Sequence, residues 1–198
     1  MAKINTKVLR DAVYSGAENA NIRKQARALA AQRVEEAKES MIEELNSHPI
    51  TKEIESGPDS ENDSNTLDGN GNLYSFIGFE AGSKPTEIIR DYLGKSTRLM
   101  TGYKYEKNDS GGVYYFTVSV PSSPELEELT PSPWDSKSWT RGIERGISGL
   151  GFYIYSKIKA LASSRSGTAT QSGNKVRSLG YRPVKYMSNI INNFKKKI

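Results

Sequence analysis

The stretch that decides the fold is TRLMTGYKYEKNDSGGVYYFTVSV, residues 97–120, which has the pattern of a β-hairpin. Apolar and aromatic side chains alternate with polar ones on both arms, a period of two that is typical of a strand with one buried face. Residues 107–112 between the arms include Asn, Asp, Ser and two glycines, the residue types that form turns. The sequence therefore predicts two antiparallel strands, at 97–106 and 113–120.

Segments with helical periodicity flank this hairpin on both sides. Residues 18–47 carry apolar side chains at spacings of three and four, and many of these are alanine, which predicts a long helix packed closely against a partner. A shorter helix is predicted from Pro85 to Leu93 with Gly94 as its stop, and one or two helical turns at 123–129. Together these elements predict an α+β fold, a small antiparallel sheet packed against several helices, with long polar loops.

Two polar loops separate the predicted elements. They are SGPDSENDSNTLDGNGN at 56–72 and SSRSGTATQSGNKVRSLG at 163–180. The apolar run LYSFIGF at 73–79, after the first loop, predicts a strand with a bulge at its glycine. After the second loop, a last helix is expected to open at Pro183 and to end in three lysines.

The longest apolar stripe in the chain begins at Trp139. Steps of three and four carry it to Leu161, which predicts one continuous helix of about six turns. Four glycines interrupt this stripe, and each costs about 0.5–1 kcal/mol relative to alanine inside a helix. A break near Gly149–Gly151, followed by a strand at about 150–156, therefore stays open as an alternative.

Length and composition indicate one domain with a modest core. The 198 residues suit a single domain at 18–198, preceded by a mobile N-terminal segment at 1–17. The apolar fraction of 35% is low for a globular domain, which predicts that part of the chain is solvated, disordered or completed by neighbouring chains. The chain has no cysteine, which excludes disulfides, and no apolar run of about 18 residues that could span a membrane. The N-terminus lacks the apolar core of a signal peptide, so synthesis in the cytoplasm is expected.

Charge is divided unevenly along the chain. Residues 136–198 hold thirteen Lys or Arg and one acid, Glu144, whereas residues 1–135 hold fifteen Lys or Arg and twenty-two acids. The two parts therefore carry net charges of +12 and −7, which combine to the overall +5. A one-signed surface attracts an opposite one over roughly 8–10 Å, the Debye length near physiological salt. The division indicates a binding or assembly protein more than an enzyme.

Groups that could support catalysis are sparse. His48 is the only histidine and precedes Pro49 at the expected end of the first helix, where a helix-terminal role is favoured over a catalytic or zinc-binding one. Four carboxylates of the first loop could hold Ca²⁺ or Mg²⁺: Asp59, Glu61, Asp63 and Asp68. Their spacing departs from that of an EF-hand because Leu67 stands where a ligand belongs, so a solvated loop is favoured. No catalytic residue, cofactor or metal is predicted, and a metal-dependent hydrolase would depend on this loop alone.

The acid-poor third contains the candidate contact residues. Eight cations could bind an acidic protein surface or DNA phosphates: Arg165, Lys175, Arg177, Arg182, Lys185, Lys195, Lys196 and Lys197. Tyr181 and Tyr186 could stack on bases, although the sequence has no nucleic-acid-binding motif. A basic face that only aids solubility stays open as the simplest alternative. Four aromatic residues are candidate interface anchors, although a role in the core stays open as an alternative: Trp134, Trp139, Phe76 and Phe79.

Three stretches carry a resemblance to a known group of proteins. They are HPITKEI at 48–54 before the Asn/Asp/Gly loop, GNLYSFIGF at 71–79 with Pro85 after it, and Trp134 followed by SW at 138–139 and GIERGISGL at 142–150. The Ser/Gly loop and RPVKY at 182–186 follow the third stretch. In this order, over residues 20–198, they resemble the neck or tail-completion proteins of tailed phages, which join portal and tail.

The resemblance implies an α+β protomer that assembles as a ring in the virion, between the portal or adaptor and the tail. The expected partners are copies of the chain itself and other head–tail junction or tail proteins, with DNA nearby and no membrane. An alternative from the charge division is a non-enzymatic nucleic-acid-binding accessory protein that uses the basic C-terminal third.

Overall fold

The computed structural model describes residues 2–6, 20–67, 71–108, 111–133, 135–146 and 181–198. In these ranges the chain has the predicted α+β fold, with several helices, one three-stranded and one two-stranded antiparallel sheet. The chain divides into two compact units, where the sequence predicts a single domain over 18–198. The sheet unit comprises Met1–Glu43, Tyr92–Pro121 and Ile191–Ile198, and the loop unit comprises Glu44–Asp91 and Ser122–Ile190.

The elements have the following bounds. The helices are α1 Ala20–Ser47, α2 Pro49–Glu55, α3 Leu73–Ile77, α4 Glu87–Ser96, α5 Ser123–Leu129, α6 Trp139–Arg145 and α7 Met187–Lys197, with a 3₁₀ turn at Gly57–Asp59. The strands are β1 Ala2–Thr6, β2 Arg98–Asn108, β3 Gly111–Ser119, β4 Pro131–Ser132 and β5 Asp135–Ser138.

The predicted hairpin is confirmed as β2 and β3, which form the larger sheet with β1 in the order β1-β3-β2. Strand β1 pairs antiparallel with β3, from Ala2 opposite Val118 to Thr6 opposite Tyr114. The N-terminal segment that was expected to be mobile therefore contributes a strand, and residues 7–19 lie outside the described residues. The larger sheet is thus completed by a segment whose composition gave no strand signal.

Strand β2 contains an exposed bulge that a side chain of α1 contacts. Leu99 lies opposite Val118 and Tyr103 opposite Phe116, so three residues of β2 face a single residue of β3. The Nη1 of Arg27 donates hydrogen bonds to the carbonyls of Met100 (3.2 Å) and Thr101 (3.0 Å). A bulge interrupts the ladder, and here an arginine from a neighbouring helix binds two of its carbonyl groups.

The long N-terminal helix is confirmed as α1, and most of its predicted stripe is buried. The buried residues are Ala26, Ala30, Val34, Ala37, Met41 and Leu45. Ala26 and Ala30 pack in one cluster with Tyr114 and Phe116 of β3, so the close partner that the alanines predict is the chain's own sheet. Leu29 was placed on the same stripe, and this was wrong, because 48% of its surface is exposed.

The strand predicted at 73–79 is wrong, since Leu73–Ile77 forms the short helix α3. The side chain of Asn72 accepts a hydrogen bond from the amide of Ser75 (2.9 Å), and Gly78 ends the helix in the left-handed conformation, with φ of 84°. An asparagine before and a glycine after an apolar run are helix-capping signals. Four of its five side chains are buried, so the run lacks the polar face from which a helix is usually read.

Other predicted bounds shift by a few residues. Helix α4 passes through Gly94, which was expected to stop it, and ends at Ser96. Helix α7 begins at Met187 and not at Pro183, whereas α5 has its predicted bounds and a capping box between Ser122 and Glu125. Helix α2 and the β4–β5 pair were not predicted.

The continuous helix predicted from Trp139 is wrong in its described part. Helix α6 ends at Arg145, and Gly146 follows with φ of 93°, a conformation that side-chain-bearing residues rarely adopt. The break thus comes at Gly146, earlier than the alternative at Gly149–Gly151. The rest of the apolar stripe, the strand alternative at 150–156 and the second polar loop lie outside the described residues.

Candidate interaction surfaces

A buried carboxylate organises the first polar loop. Glu53 on α2 is 0% exposed and accepts three hydrogen bonds from the loop. Its Oε1 accepts from the amide of Leu73 (2.7 Å) and the Nδ2 of Asn62 (2.9 Å), and its Oε2 accepts from the amide of Ser64 (2.8 Å). Because a buried carboxylate needs such donors to offset its lost hydration, the loop is built around this one side chain.

Two asparagines extend the network along the same loop. The Oδ1 of Asn62 accepts from the amide of Leu67 (3.0 Å). The Nδ2 of Asn72 donates to the carbonyls of Pro58 (2.7 Å) and Ser60 (3.0 Å). In its described residues, 58–67 and 71–73, the loop that composition suggested was solvated is therefore held by internal hydrogen bonds. Glu53 was not among the predicted site residues. Asn72 directly before the apolar run is a helix-capping signal that could have indicated an ordered loop end.

Three of the four carboxylates considered as metal ligands are described, and all three are exposed. Asp59, Glu61 and Asp63 are exposed, and Asp68 lies outside the described residues. Within the described ranges no group of three or more acids or histidines is arranged to hold a metal ion. These three acids instead form an exposed acidic surface on a loop that Glu53 holds in place.

His48 lies between two helices and caps the second. Helix α1 ends at Ser47, and the Nδ1 of His48 accepts a hydrogen bond from the amide of Ile50 (3.2 Å) at the start of α2. Its ring lies 4.8 Å from that of Tyr186, whose hydroxyl is 2.6 Å from the Oγ1 of Thr51. Partial burial lowers the pKa of His48, against the opposing influence of Glu44. The favoured helix-terminal role is therefore met at the start of α2 and not at the end of α1.

The only acid of the basic third positions the segment that precedes α7. The Oε1 of Glu144 accepts hydrogen bonds from the amides of Tyr186 (3.1 Å) and Ser188 (2.7 Å), which lie at the start of that helix. A carboxylate at a helix N-terminus also interacts favourably with the helix dipole. The amide of Val184 donates to the carbonyl of Ile143 (3.2 Å) and that of Arg182 to Thr66 (2.9 Å).

The structure places five of the eight predicted contact cations. Arg182 and Lys185 are exposed on the segment that Glu144 holds, and Lys195, Lys196 and Lys197 are exposed on the last turn of α7. The Nζ of Lys197 donates to the Oγ of Ser40 on α1 (2.5 Å). The other three, Arg165, Lys175 and Arg177, lie outside the described residues.

Most of the aromatic residues considered as contact residues pack against one another within the loop unit. Trp139 and Phe76 are buried, which favours the core alternative for these two, whereas Phe79 is partly buried and packs edge-on against Trp139 at 5.6 Å. Tyr181 stacks on Phe76 at 6.2 Å, and Tyr186 is fully buried. Tyr186 therefore has no exposed ring to stack on a base, whereas Tyr181 is half-buried and its stacking stays a prediction. Burial raises the pKa of both phenols. Trp134 lies outside the described residues.

Some charged side chains of the basic third and of the acidic part form ion pairs within the chain. Arg141 and Arg145 from the basic third lie 3.6 Å and 4.0 Å from the carboxylate of Glu127 on α5. Within the acidic part, Glu55 accepts from Arg90 (2.5 Å) and Thr86 (2.6 Å). Burial raises the pKa of Glu55, but the hydrogen bonds from Thr86 and Arg90 and the charges of Arg90 and Lys84 together outweigh it, so the pKa is lowered overall. The +12 and −7 of the sequence are thus upper limits on what the surface offers a partner.

No family model, curated protein or solved structure matches this chain. Among the helices of the described ranges, none is long and apolar enough to cross a membrane.

Proposed function

We propose that this chain is a non-enzymatic structural protein of the virion, assembling as a ring at the head–tail junction of a tailed phage between the portal or adaptor and the tail. The observation that carries the proposal is that charges of both signs remain on the surface. The exposed acids of the first loop are Asp59, Glu61 and Asp63, and the exposed lysines of the acid-poor third include Lys185, Lys195 and Lys196.

Such surfaces suit contacts between chains. In a ring with head-to-tail contacts, an acidic surface of one protomer meets a basic surface of the next, which sets register and orientation more than it adds affinity. The polar groups with internal hydrogen bonds support the same function, because buried Glu53, half-buried Glu144 and buried Tyr186 each hold the chain's own loops and helix ends. The proposed location at the head–tail junction comes from the resemblance of the sequence to phage neck proteins.

Light scattering after size-exclusion chromatography, combined with particle imaging, tests this proposal. At low ionic strength we expect a ring oligomer that also binds purified portal, adaptor or tail components. The triple variant Lys185→Glu/Lys195→Glu/Lys196→Glu should lose this assembly, while Lys52→Glu, at an exposed cation of the acidic part, should keep it. A chain that remains monomeric with every component offered would contradict the proposal.

The exposed lysines also favour a second candidate, a nucleic-acid-binding accessory protein. Since Tyr186 is buried and Tyr181 is half-buried against Phe76, binding would depend mainly on phosphates and would be largely insensitive to sequence. Duplex DNA titrations at several salt concentrations test it. A salt-dependent affinity that the triple variant loses supports this candidate, and weak binding at physiological salt that the variant leaves unchanged contradicts it.

A further inference from the structure

Charge along α1 is divided at the midpoint of the helix. Residues 20–33 carry four cations and no acid, whereas residues 34–47 carry five acids and one cation, Lys38. This order opposes the helix dipole, which favours acids in the first turn and cations in the last. The division therefore does not stabilise α1 itself. Arg23 and Arg27 contact β2 of the same chain, whereas Lys24 is exposed on the opposite face of the helix.

The face of α1 that points away from the sheet forms a second, polar stripe. Its exposed residues are Lys24, Ala28, Gln32, Glu35, Glu39 and Glu43. They follow one another at steps of 4, 4, 3, 4 and 4, which keeps them on one side of a helix of 3.6 residues per turn. The order of these steps is the same whether the stripe is read from its N-terminal or its C-terminal end. A two-fold axis at its centre therefore superimposes the stripe on itself.

We propose that this stripe is a docking surface for α1 of a second copy of the chain, with the two helices antiparallel. In that register Lys24 of each copy faces Glu43 of the other, and Gln32 faces Glu35. Ala28 faces Glu39, where a small side chain allows the backbones to approach. The basic half of each helix then lies along the acidic half of its partner, so the charge order that is unfavourable within one helix becomes complementary between two.

The proposal goes beyond the proposed function. A two-fold contact between identical surfaces closes on itself and does not generate a ring, so the α1 pair is separate from the contact that a ring would need. Exposed ion pairs are individually weak and are screened by salt. The α1 pair is therefore a salt-sensitive dimer that dissociates on dilution.

Cysteine cross-linking tests the antiparallel register, because the chain has no cysteine of its own. Ala28→Cys and Glu39→Cys keep the Lys24–Glu43 pairs, and each is made as a single variant. When the two are mixed and mildly oxidised, the mixed disulfide should form quickly. Each variant alone should form little, since two copies of residue 28 then lie about 16 Å apart along the pair at ~1.5 Å per residue. Ile88→Cys, at an exposed side chain of α4, is the control.

Charge reversal gives an independent measurement by sedimentation. Lys24→Glu and Glu43→Lys should each raise the dimer dissociation constant about tenfold or more, and the double variant should restore it because both pairs re-form with exchanged signs. All three variants should keep the melting temperature of the wild-type chain within about 2 °C, since both side chains are exposed.

The proposal is overturned if the mixed disulfide forms no faster than the Ile88→Cys control, or if the double reversal is as weak as the singles. That result leaves the head–tail proposal untouched when the same variants still bind portal, adaptor or tail components. Conversely, a rapid mixed disulfide in a chain that binds none of these components supports the α1 pair and counts against the head–tail proposal.

Discussion

Each of the two compact units is stabilised internally in a different way. In the sheet unit, apolar side chains of α1 and β3 pack directly against one another, as Ala26 and Ala30 do against Tyr114 and Phe116. In the loop unit, a buried carboxylate and a cluster of buried hydroxyls also determine the structure. The stability of the sheet unit should therefore depend on the volume of the side chains in its core. The stability of the loop unit should depend on single hydrogen bonds, because a buried donor or acceptor that loses its partner is shielded from water.

The largest loss of stability is expected from Phe116→Ala in the sheet unit. Phe116 is 1% exposed, so removing its ring leaves a cavity, and the free energy of unfolding should fall by about 3–5 kcal/mol. Phe116→Leu is the control and should lose less, because it keeps most of the volume. Chemical denaturation measures both, and equal losses would contradict a core that depends on packing.

In the loop unit, Glu53→Ala should cost about 3 kcal/mol, because the amides of Ser64 and Leu73 and the side chain of Asn62 lose their acceptor. Glu61→Ala removes an exposed acid from the same loop and should change stability by less than about 0.5 kcal/mol. Hydrogen exchange of the loop amides should rise only in the Glu53 variant. Unchanged exchange would mean that the loop is held in another way.

A cluster of three hydroxyls gives a smaller effect in the same unit. The Oγ1 of Thr130 lies 2.9 Å from the Oγ of Ser138 and 2.7 Å from the Oγ1 of Thr140, and it donates to the carbonyl of Leu126 (2.8 Å). Thr130→Val keeps the shape but removes the hydroxyl, so we expect a loss of about 1–2 kcal/mol in thermal or chemical denaturation. A neutral result would show that the cluster is not needed for stability.

His48 should make the loop unit sensitive to mild acid. Burial lowers the pKa of His48 in the folded chain below the ordinary value of 6.5. As the pH falls, the unfolded chain therefore binds the proton before the folded chain does. The stability contributed by neutral His48 is therefore complete above about pH 6.5 and is lost as the pH falls below it. His48→Asn retains a capping oxygen without titrating. Between pH 7.5 and 5.5, the free energy of unfolding of the His48→Asn variant should fall less than that of the wild-type chain. If the two free energies fall equally with pH, His48 is not the group responsible.

The smallest change is expected where the sheet unit buries a hydroxyl without a partner. Within the described part of the chain, the Oγ1 of Thr97 and the hydroxyl of Tyr105 are buried and form no hydrogen bond. Thr97→Val and Tyr105→Phe should therefore be neutral or stabilising, by at most about 1 kcal/mol. A clear loss in either variant, measured beside Thr130→Val, would remove the contrast between the two units.

The sheet unit was also the easier one to predict. The alternation of β2 and β3 and the alanine stripe of α1 depend on the spacing of neighbouring residues, which is visible in one sequence. Strand β1 was missed because its pairing with β3 joins residues more than a hundred positions apart. The bulge in β2 was missed for a similar reason, because its carbonyls are bound by Arg27 from a distant helix.

In the loop unit, the errors follow from reading polar residues as solvated. The loop at 56–72 has the composition of an exposed linker, yet Glu53 lies at its centre because three donors converge on that side chain only after the chain folds. The apolar run after it was read as a strand because four of its five helical residues are buried, which leaves no periodicity. Of the predicted contact residues, Lys185 of this unit is exposed, and its role in binding a partner stays a prediction.

By itself, the sequence determined the α+β class, the hairpin, the long helix and the total charge of each part, because these depend on composition and on spacing between near neighbours. The tertiary structure decided where those charges lie. It places Arg141 and Arg145 beside Glu127 and uses Glu144 as the cap of α7. It also leaves the bipolar stripe of α1 exposed. The physical reason is that a charge interacts with whatever lies within a few ångströms, and only folding determines which residues those are.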